Sequence, residues 1–410
     1  MIFTGFLPNA TKQDFRKALS FLFLPWKWFS LRKGKNILKV EDWFKKYFFV
    51  KYAITFDSGR TALQKALESL GIKQDDEVLI QAYTCIVVSN AVIWAGGKPI
   101  YVDINDDFNM DQKDLEKKIT DKSKVLIIQH TFGNPANLRG LLEIAQKNNL
   151  RVIEDCAHSL GIKYNGKLTG TLGDIGMFSF GSDKVVSCLR GGALITNNEN
   201  LGGKIRQLQQ ELPLSKSLKV WQYLLIFLIF AIGKPLYKFG IGKIMMWGFK
   251  KFNITGRIIY EKEKQGKQVS FYPSQLPNAL AEILLKQLEN LDGMNDHRRK
   301  IAKIYFEGIK NKLVKLPPQD KNSNYLRFTL LVDKSKKLLN LAKKQDILLG
   351  DWYNTVIAPG DCNKDNARYI KGSCPNAENL APKSINLPTN INIKAEQTEK
   401  IIKFINSYAG

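Results

Sequence analysis

Short apolar segments alternate with amphipathic ones across residues 52–196, and this alternation restricts the fold more than any other feature of the sequence. The apolar segments have the length of strands. The amphipathic ones carry apolar side chains at helical spacing, as Ala62, Leu63, Ala66 and Leu67 do. A regular alternation of strands and helices is typical of a mostly parallel sheet with helices on both faces. We therefore predict an α/β fold, with a large domain of this kind followed by a smaller C-terminal α/β domain.

The same pattern gives the bounds of the predicted elements. The predicted strands of the large domain are 77–80, 99–102, 125–128, 151–153 and 193–196. The predicted helices that alternate with them are 60–71, 87–95, 111–119 and 138–147. After residue 270 the pattern predicts helices at 276–292, 297–311, 336–344 and 395–408, and a strand at 326–332. The part of the chain after residue 270 thus contains both helices and a strand, as a smaller α/β domain requires.

The chain is long and unusually basic. Its 410 residues exceed what one small core needs, so we expect several domains. It has 62 Lys and Arg against 38 Asp and Glu, a net charge of +24 that favours partners carrying phosphate. The five cysteines show no paired spacing, which indicates a reducing compartment and argues against disulfides or a cysteine-ligated metal site. No secretion signal is recognisable, so we expect a cytoplasmic protein. We also expect no bound metal.

Two segments without any acidic residue stand out from the rest of the chain. Residues 16–40 carry seven Lys and Arg, and residues 213–253 carry seven Lys, which together make 14 of the +24. Each contains tryptophan and an apolar run, and the run at 220–232, about 13 residues, is short for a membrane span. Apolar runs flanked by lysine and tryptophan are typical of segments that lie on a membrane surface. We therefore predict contact with an anionic membrane, the alternative being that the two segments pack on each other or across a dimer interface.

Residues 151–197 combine reactive side chains with glycine-rich turns. A strand ends at Asp155, His158 follows three residues later, and Lys184 stands alone before the next strand. In open α/β sheets, ligands bind at the edge formed by the carboxyl ends of the strands. An acid for a cationic heterocycle, a small-residue turn for a phosphate and a lysine that can form a Schiff base indicate pyridoxal 5′-phosphate (PLP) chemistry.

A set of motifs in a fixed order resembles one known family. The motifs are SGRTALQKALESLGI, DEVLIQAYTC, AGGKPIYVDI, QHTFGNPANL, VIEDCAHSLG, GTLGDIGMFSF, GGALITNN, QLENLD and CPNAENLAPKSINLPTN, with Lys184 between the sixth and the seventh. In this order they are similar to the DegT/DnrJ/EryC1/StrS sugar aminotransferases, which are PLP enzymes of the aspartate-aminotransferase fold, fold type I. The resemblance covers residues 51–212 and 270–410 and implies a homodimer with shared active sites.

Together with the changes in composition, the resemblance divides the chain into four predicted parts. They are a basic and aromatic N-terminal arm (1–49), a large PLP-binding domain (50–212), an apolar basic insert that is a candidate for membrane association (213–269) and a small C-terminal domain (270–410).

The resemblance also implies roles for residues that match the family's motifs. Lys184 matches the lysine that forms the Schiff base with PLP and moves the proton between substrate carbon and cofactor. Asp155 is expected to pair with the protonated pyridine nitrogen, which keeps the ring an electron sink. His158 is expected to lie beside the ring and its phenolic oxygen. These three residues are the predicted catalytic set.

Cofactor-binding residues are also implied on the phosphate side and on the face of the ring. Ser179 and the backbone at Gly59 and Arg60 match the family's phosphate ligands. The position where the family commonly stacks an aromatic ring on the cofactor holds Cys85 here, and Tyr83 is the candidate substitute. The sequence therefore departs from the family at the face of the ring.

Further positions concern the substrate and the partner subunit. His130 and Tyr83 are predicted on the substrate side, and Trp352 and Tyr353 are candidates to line a sugar pocket. The family often has an Asn-x-Arg element whose Asn reaches the partner's cofactor phosphate, whereas this chain has FYPSQLPNALA there. That contact is not predicted for this chain.

The resemblance implies transfer of an amino group from an amino acid, expected to be glutamate, to a nucleotide-linked or lipid-linked keto-sugar in cell-surface glycan biosynthesis. One alternative is a keto-sugar dehydratase of the same family, which Lys184 disfavours because such enzymes carry histidine there. A second is a non-catalytic basic binding or regulatory protein, although no nucleic-acid-reading motif is present and we expect no nucleic acid partner. A third is a PLP enzyme of the glycine-hydroxymethyl or acyl-condensing type.

Overall fold

The computed structural model describes residues 1–5, 7–251, 254, 257 and 259–410. Its strands are β1 (Ile2–Phe3), β2 (Tyr52–Phe56), β3 (Glu77–Gln81), β4 (Lys98–Val102), β5 (Ser123–Gln129), β6 (Arg151–Asp155), β7 (Lys163–Tyr164), β8 (Lys167–Leu168), β9 (Ile175–Ser179), β10 (Gly192–Thr196), β11 (Phe328–Leu331), β12 (Ile347–Leu348) and β13 (Ser384–Leu387). Its α-helices are α1 (Lys12–Phe23), α2 (Pro25–Trp28), α3 (Asn36–Phe48), α4 (Gly59–Ser69), α5 (Ile86–Trp94), α6 (Gln112–Lys118), α7 (Leu138–Lys147), α8 (Glu199–Gln210), α9 (Ser217–Leu236), α10 (Ile241–Lys251), α11 (Glu261–Lys264), α12 (Asn278–Leu288), α13 (Leu291–Gly308), α14 (Ser335–Lys344), α15 (Pro375–Leu380) and α16 (Ala395–Asn406). Short 3-10 turns lie at Thr131–Gly133 and Ala381–Lys383.

Within the described residues, a seven-stranded sheet forms the centre of the molecule, in the strand order β2-β10-β9-β6-β5-β3-β4. Neighbouring strands of this sheet run parallel except at β10, which is antiparallel to both β2 and β9. The central strand β5, with the sequence SKVLIIQ, is buried on both faces, which explains its continuous apolar run. The predicted α/β fold with a mostly parallel sheet is confirmed.

The parallel strands of this sheet end at one edge, and functional side chains gather there. Gln129 ends β5, Asp155 ends β6 and Ser179 ends β9. Strand β2 runs parallel to β9 because both are antiparallel to β10, so Ser58, two residues beyond β2, reaches the same edge. Residues from distant parts of the chain therefore become neighbours at this edge.

Most of the predicted elements are present with small shifts at their ends, and one helix is interrupted. The helix predicted at 276–292 ends at Leu288, and the next helix begins at Leu291 rather than at 297. Asn290, between them, has φ −109° and ψ 11°, which lies outside helical geometry. A single irregular residue leaves no trace in the periodicity of apolar residues, which explains the difference.

The insert's apolar run of about 13 residues lies within a longer helix, α9. The helix has 20 residues, Ser217–Leu236, because polar residues and lysines extend it at both ends. By length and composition it is the one described helix that is long and apolar enough to cross a membrane, and 39% of its most apolar window is buried inside the protein. A helix of this length spans about 30 Å.

The two acid-free segments pack on each other. Helix α9 lies against α1 and α10, and the fully buried Val220, Leu224 and Phe227 face this contact. The ring of Phe15 in α1 meets that of Phe227 edge-on at 6.2 Å. One face of each segment is therefore covered by the other.

The smaller domain has a core of its own, which the N-terminus joins. Strands β11 and β13 pair antiparallel, and Phe328, Ile385 and Ile401 belong to one apolar cluster with residues of α13 and α14. Strand β1 pairs parallel with β12, so Ile2 joins this cluster from the far end of the chain. This pairing holds the first residues of the chain near the edge of the central sheet.

Candidate active site

A cavity of about 400 Å³ opens at the carboxyl edge of the central sheet. Its walls come from the sheet edge, from α9 and from residues 348–353 beside β12. Seven predicted catalytic or cofactor-binding residues line this cavity: Gly59, Arg60, Cys85, Asp155, His158, Ser179 and Lys184. The two candidates for a sugar pocket, Trp352 and Tyr353, line it as well.

Lys184 and His158 contact each other inside this cavity. Nζ of Lys184 lies 2.9 Å from Nε2 of His158. The other ring nitrogen, Nδ1, accepts a hydrogen bond from the backbone N–H of Phe132 at 3.3 Å. Burial, together with the positive charges of Lys184 and Arg327, holds the pKa of His158 well below its usual range. The imidazole is therefore neutral at physiological pH.

The backbone that carries Lys184 is held by two side chains from distant parts of the chain. Nδ2 of Asn9 donates to the carbonyl oxygens of Lys184 and Val185, at 2.6 and 3.3 Å. Arg298, which is fully buried in α13, donates from Nη2 to the Val185 carbonyl at 2.7 Å. The N-terminal residues therefore help to fix the position of the lysine.

Asp155 presents a buried carboxyl at the end of β6. Its Oδ1 accepts a hydrogen bond from the backbone N–H of Ala157 at 3.0 Å. Burial raises the pKa of Asp155, while that hydrogen bond and the charge of Lys184 act in the opposite direction. A buried carboxylate is stabilised most by a cationic N–H partner, which is what a protonated heterocycle offers.

The N-terminus of α4 forms a cup for an anion beside Ser179. Ser58 caps the helix, since its Oγ accepts from the N–H of Thr61 at 3.3 Å. A Cβ at Gly59 would lie 2.7 Å from Cβ of Ser179, so glycine is needed for this close approach. The N–H groups of a helix N-terminus and a hydroxyl at the same point suit a phosphate group.

Two arginines, Arg60 and Arg190, line the same cavity. Arg60 forms an ion pair with Glu263 of the insert, and its guanidinium lies 5.6 Å from the ring of Tyr272. The guanidinium of Arg190 lies 4.5 Å from the same ring, and its Nη2 is 3.6 Å from Oδ2 of Asp57. The sequence analysis missed Arg190. Its signal is an arginine directly before the GGALITN motif that follows Lys184.

Cys85 lines the cavity, and Tyr83 does not replace the aromatic ring of the family at this point. The Cys85 side chain is 8% exposed, and burial raises the pKa of its thiol to about 11, so the thiol is neutral. The Tyr83 hydroxyl lies 3.1 Å from Oγ of Ser384, and its ring stacks on Phe108. Tyr83 is thus buried in the apolar core outside the cavity lining, contrary to its predicted place beside the substrate.

His130 also lies outside the cavity lining. It is fully buried, with Nε2 3.4 Å from Oε2 of Glu154, and its Nδ1 accepts from the N–H of Ala136 at 3.1 Å. Gln129, the preceding residue, does line the cavity, and side chains of successive strand residues point to opposite faces. Glu154 in turn accepts from the backbone N–H groups of Gly170, Leu172 and Gly173. His130 therefore belongs to a buried hydrogen-bond network behind the site.

Other residues at the cavity carried no signal in the sequence. Tyr223 and Ile226 reach it from α9, Arg327 reaches it from the start of β11, and Thr4 reaches it from the N-terminus. Each lies outside the motifs around Lys184. Only the folding of the insert and of the N-terminus onto the sheet edge brings them there.

Solved structures share this fold. The aminotransferase PseC of Helicobacter pylori, involved in the biosynthesis of pseudoaminic acid, superposes with a TM-score of 0.76 at 20% identity over 98% of each chain. The architecture is that of fold-type-I PLP-dependent transferases.

The model of the DegT/DnrJ/EryC1/StrS aminotransferase family matches residues 14–221 and 248–406, and the chain belongs to this family. It is 31% identical over 383 residues to the GDP-perosamine synthase of Escherichia coli O157:H7, covering 92% of this chain and 91% of that protein. It is 29% identical over 360 residues to the UDP-N-acetyl-3-dehydro-alpha-D-glucosamine 3-aminotransferase of Acidithiobacillus ferrooxidans, covering 87% and 84%. The predicted activity, that of a PLP-dependent sugar aminotransferase, is confirmed. Residues 222–247, most of α9 and the start of α10, fall outside the family match.

Proposed function

We propose that the cavity binds PLP, that the Lys184 amine is joined to it, and that glutamate is the amino donor for a keto-sugar linked to a nucleotide or a lipid. One observation carries this proposal: Lys184, Asp155 and the N-terminus of α4 face the same cavity of about 400 Å³. They offer an amine for the aldehyde, a carboxylate for the pyridine nitrogen and N–H groups for the phosphate of PLP. The close approach of Gly59 to Ser179 fits a phosphate cup of this kind.

Each of these residues has a task that its geometry supports. Bound PLP supplies an electron sink for the carbon next to the transferred nitrogen. Asp155 keeps the pyridine nitrogen protonated, because its buried carboxylate needs a cationic partner. Once the amino group of the donor has displaced it from the cofactor, the Lys184 amine would take the proton from the donor carbon and return one to the acceptor carbon, and His158 at 2.9 Å would direct this amine.

Arg327 offers a binding point for the carboxylate of the donor. Its Nη2 donates to Oδ2 of Asp183 at 2.5 Å, and its Nη1 donates to Oδ1 of Asn386 at 3.2 Å. Its buried Nε has no hydrogen-bond partner among the described residues. A guanidinium with an unused N–H at the cavity can bind a carboxylate, which every amino acid carries. This supports an amino acid as the donor, and we propose glutamate.

The test is a half-reaction followed by a panel of acceptors. Purified enzyme with PLP should show a visible absorption band, and L-glutamate should convert the cofactor to pyridoxamine phosphate with release of 2-oxoglutarate. Keto-sugars linked to nucleotides and to lipid phosphates then identify the acceptor. Lys184→Ala should abolish turnover, a loss of at least about 1,000-fold, because both proton transfers depend on this amine. The exposed Lys167→Ala is the matched control and should keep full activity.

Two results would contradict the proposal. Turnover by Lys184→Ala at the rate of the control would show that another group moves the proton. Failure of glutamate to yield pyridoxamine phosphate, with consumption of glycine instead, would favour the glycine-hydroxymethyl or acyl-condensing type of PLP enzyme.

We also propose that the enzyme is a homodimer on the cytoplasmic side of the cell membrane. The family resemblance supports the dimer, which light scattering of the purified protein tests, and a monomeric mass would refute it. The cysteines support a reducing compartment, because all five are free and buried. Fractionation of cells that express the tagged enzyme tests this location.

The surface of the insert and the N-terminal arm supports contact with the membrane. Although α1 and α9 cover each other, aromatic and aliphatic side chains remain exposed on the same group of helices, with Phe29 93% and Phe239 74% exposed. The others are Phe23, Trp26, Trp28, Ile232, Ile241, Ile244 and Trp247. Exposed rings and aliphatic side chains in an acid-free, lysine-rich layer are complementary to an anionic lipid surface.

A further inference from the structure

Arg190 is a buried cation with hydrogen-bonding capacity that the protein itself does not use. It lies in the loop between Lys184 and β10, is 5% exposed and lines the cavity. Its Nε and Nη2 are buried and have no hydrogen-bond partner among the described residues. The nearest carboxylate oxygen, Oδ2 of Asp57, is 3.6 Å from Nη2, beyond hydrogen-bond distance. A buried guanidinium remains charged, so these donors call for an anionic acceptor.

The loop that carries Arg190 runs beside the N-terminus of α4. Gly192, two residues after Arg190, packs so closely on Ser58 and Gly59 that a Cβ there would lie 2.6 to 2.7 Å from their backbone atoms. Ser179 contacts Gly59 from the other side. Helix N–H groups, a hydroxyl and a guanidinium therefore line the same cavity, and phosphate groups in proteins are bound by groups of these kinds.

Neighbouring side chains hold Arg190 in place and keep Arg60 occupied elsewhere. The ring of Tyr272 lies 4.5 Å from the Arg190 guanidinium and supports it by a cation–π contact. Tyr272 belongs to FYPSQLPNALA, the segment that replaces the family's Asn-x-Arg element. Arg60 is engaged in its ion pair with Glu263.

We propose that Arg190 binds the phosphate ester of PLP, so that this chain supplies from its own loop a charged phosphate ligand. The proposal rests on the proposed function, because it takes PLP as the occupant of the cavity. It deepens that function by assigning a specificity residue that none of the family motifs contains. The substrate's phosphate is the other source of the same chemistry, and the experiment separates the two.

The experiment compares PLP with pyridoxal, which lacks the phosphate, on cofactor-free enzyme. Dissociation constants are measured by absorbance and by quenching of protein fluorescence. For Arg190→Gln we expect a rise of about 10- to 100-fold in the dissociation constant of PLP and little change for pyridoxal, because only PLP loses a charge-assisted contact. Arg190→Lys keeps the charge but loses the two-pronged hydrogen-bonding geometry of the guanidinium. Its dissociation constant for PLP should therefore lie between those of wild type and Arg190→Gln. Arg139→Gln, which removes an exposed guanidinium that is ion-paired with Glu143 and lies outside the cavity lining, is the control and should leave both dissociation constants unchanged.

The outcomes decide between the two phosphate sources. An unchanged ratio of PLP to pyridoxal affinity in both Arg190 variants would overturn the proposal, and so would a rise in the KM of the sugar acceptor alone. If Arg190→Gln does not fold, the ratio in Arg190→Lys decides. Thermal stabilisation of wild-type enzyme by inorganic phosphate, lost in the Arg190 variant, would support the phosphate site even if pyridoxal compounds bound nowhere. Failure of this inference is thereby separable from failure of the proposed function.

Discussion

The position of the Lys184 amine depends on side chains that lie far from it in the sequence. His158 contacts the amine, while Asn9 and Arg298 bind the carbonyl oxygens of Lys184 and Val185. Misplacement of a catalytic group by about 1 Å can cost about 100-fold in rate. Asn9 of the N-terminal arm thus holds the backbone of the lysine that we propose as the catalytic base.

Asn9→Ala tests this positioning role. Loss of both hydrogen bonds frees the backbone of Lys184, so we expect kcat to fall about tenfold while the KM of the amino donor stays nearly constant. The measurement is steady-state kinetics of the glutamate half-reaction, together with a pH titration of the absorption band. A purely structural role would lower the melting temperature and leave kcat of the folded enzyme unchanged.

Asn392→Ala is the matched control for Asn9. Its Nδ2 donates to the carbonyl oxygens of Pro8 and Ala10, at 2.6 and 3.2 Å, so it holds the same loop without touching Lys184. We expect it to lower stability by about 1 kcal/mol and to keep kcat. Equal losses of kcat in both variants would contradict a specific role for Asn9.

Among the elements, α9 connects the active site with the surface of the molecule. Tyr223 and Ile226 form part of the cavity wall, whereas Leu218 and Ile232 of the same helix are exposed. The helix also carries one lysine in an unfavourable place. Nζ of Lys234 donates to the Leu7 carbonyl at 3.0 Å, and burial lowers the pKa of Lys234 to about 8.

Lys234→Met tests the consequence of that shift for stability. Because the folded pKa lies below that of the unfolded chain, near 10.5, the unfolded state binds more protons between about pH 8 and pH 10.5. Lys234 therefore makes wild-type stability rise with pH across this window. The stability of Lys234→Met relative to wild type should fall by roughly 1 to 3 kcal/mol over the same window, measured by urea unfolding.

Lys238→Met removes the charge of an exposed lysine just beyond the same helix and is the control. A difference curve for Lys234→Met that runs level from pH 7.5 to pH 10.5 would show that Lys234 is not penalised by burial. A curve that rises with pH would show that a carboxylate partner stabilises its charge.

At the scale of the whole molecule, the net charge of +24 and the exposed apolar layer act together. The layer consists of exposed side chains on α1, α2, α9 and α10 and in the loops beside them, and Lys251 lies 4.7 Å from the ring of Trp247 within it. Basic residues attract anionic lipid over about a Debye length, and inserted rings then hold the protein at the interface. In the proposed membrane-bound state, the cavity wall formed by α9 would lie close to the lipid surface.

Sedimentation with lipid vesicles tests membrane contact. We expect wild-type protein to bind vesicles with anionic lipid, to bind neutral vesicles weakly, and to dissociate in high salt. Replacing Trp26, Phe29, Ile244 and Trp247 by serine should weaken binding at least about tenfold and leave the glutamate half-reaction intact.

Leu313→Ser together with Ile370→Ser is the control, because these residues are 52% and 74% exposed but lie outside this layer. Equal vesicle binding by the control and the serine variant would refute a docking role for the layer. A change in oligomeric mass of the serine variant, without vesicle binding by wild type, would show that the layer is an interface between two copies of the chain.

The sequence by itself determined the class of fold and the central pair of the candidate site. Alternating strands and helices require a mostly parallel sheet, since only that arrangement buries every apolar strand beneath helices. The ordered motifs then pointed to Asp155 and Lys184, because both positions match residues of the family that these motifs resemble. These conclusions depend on residues that are near one another in the chain.

Only the tertiary structure decided which neighbours complete the site. Glu154 and Asp155 are adjacent acids, but successive side chains of a strand point to opposite faces. Glu154 therefore belongs to the hydrogen-bond network of His130, whereas Asp155 lines the cavity. Likewise the chain brings Asn9 to Lys184, Tyr272 to Arg190 and α9 to the cavity through packing between distant segments. Such contacts depend on how whole elements pack, and periodicity within one element carries no information about them.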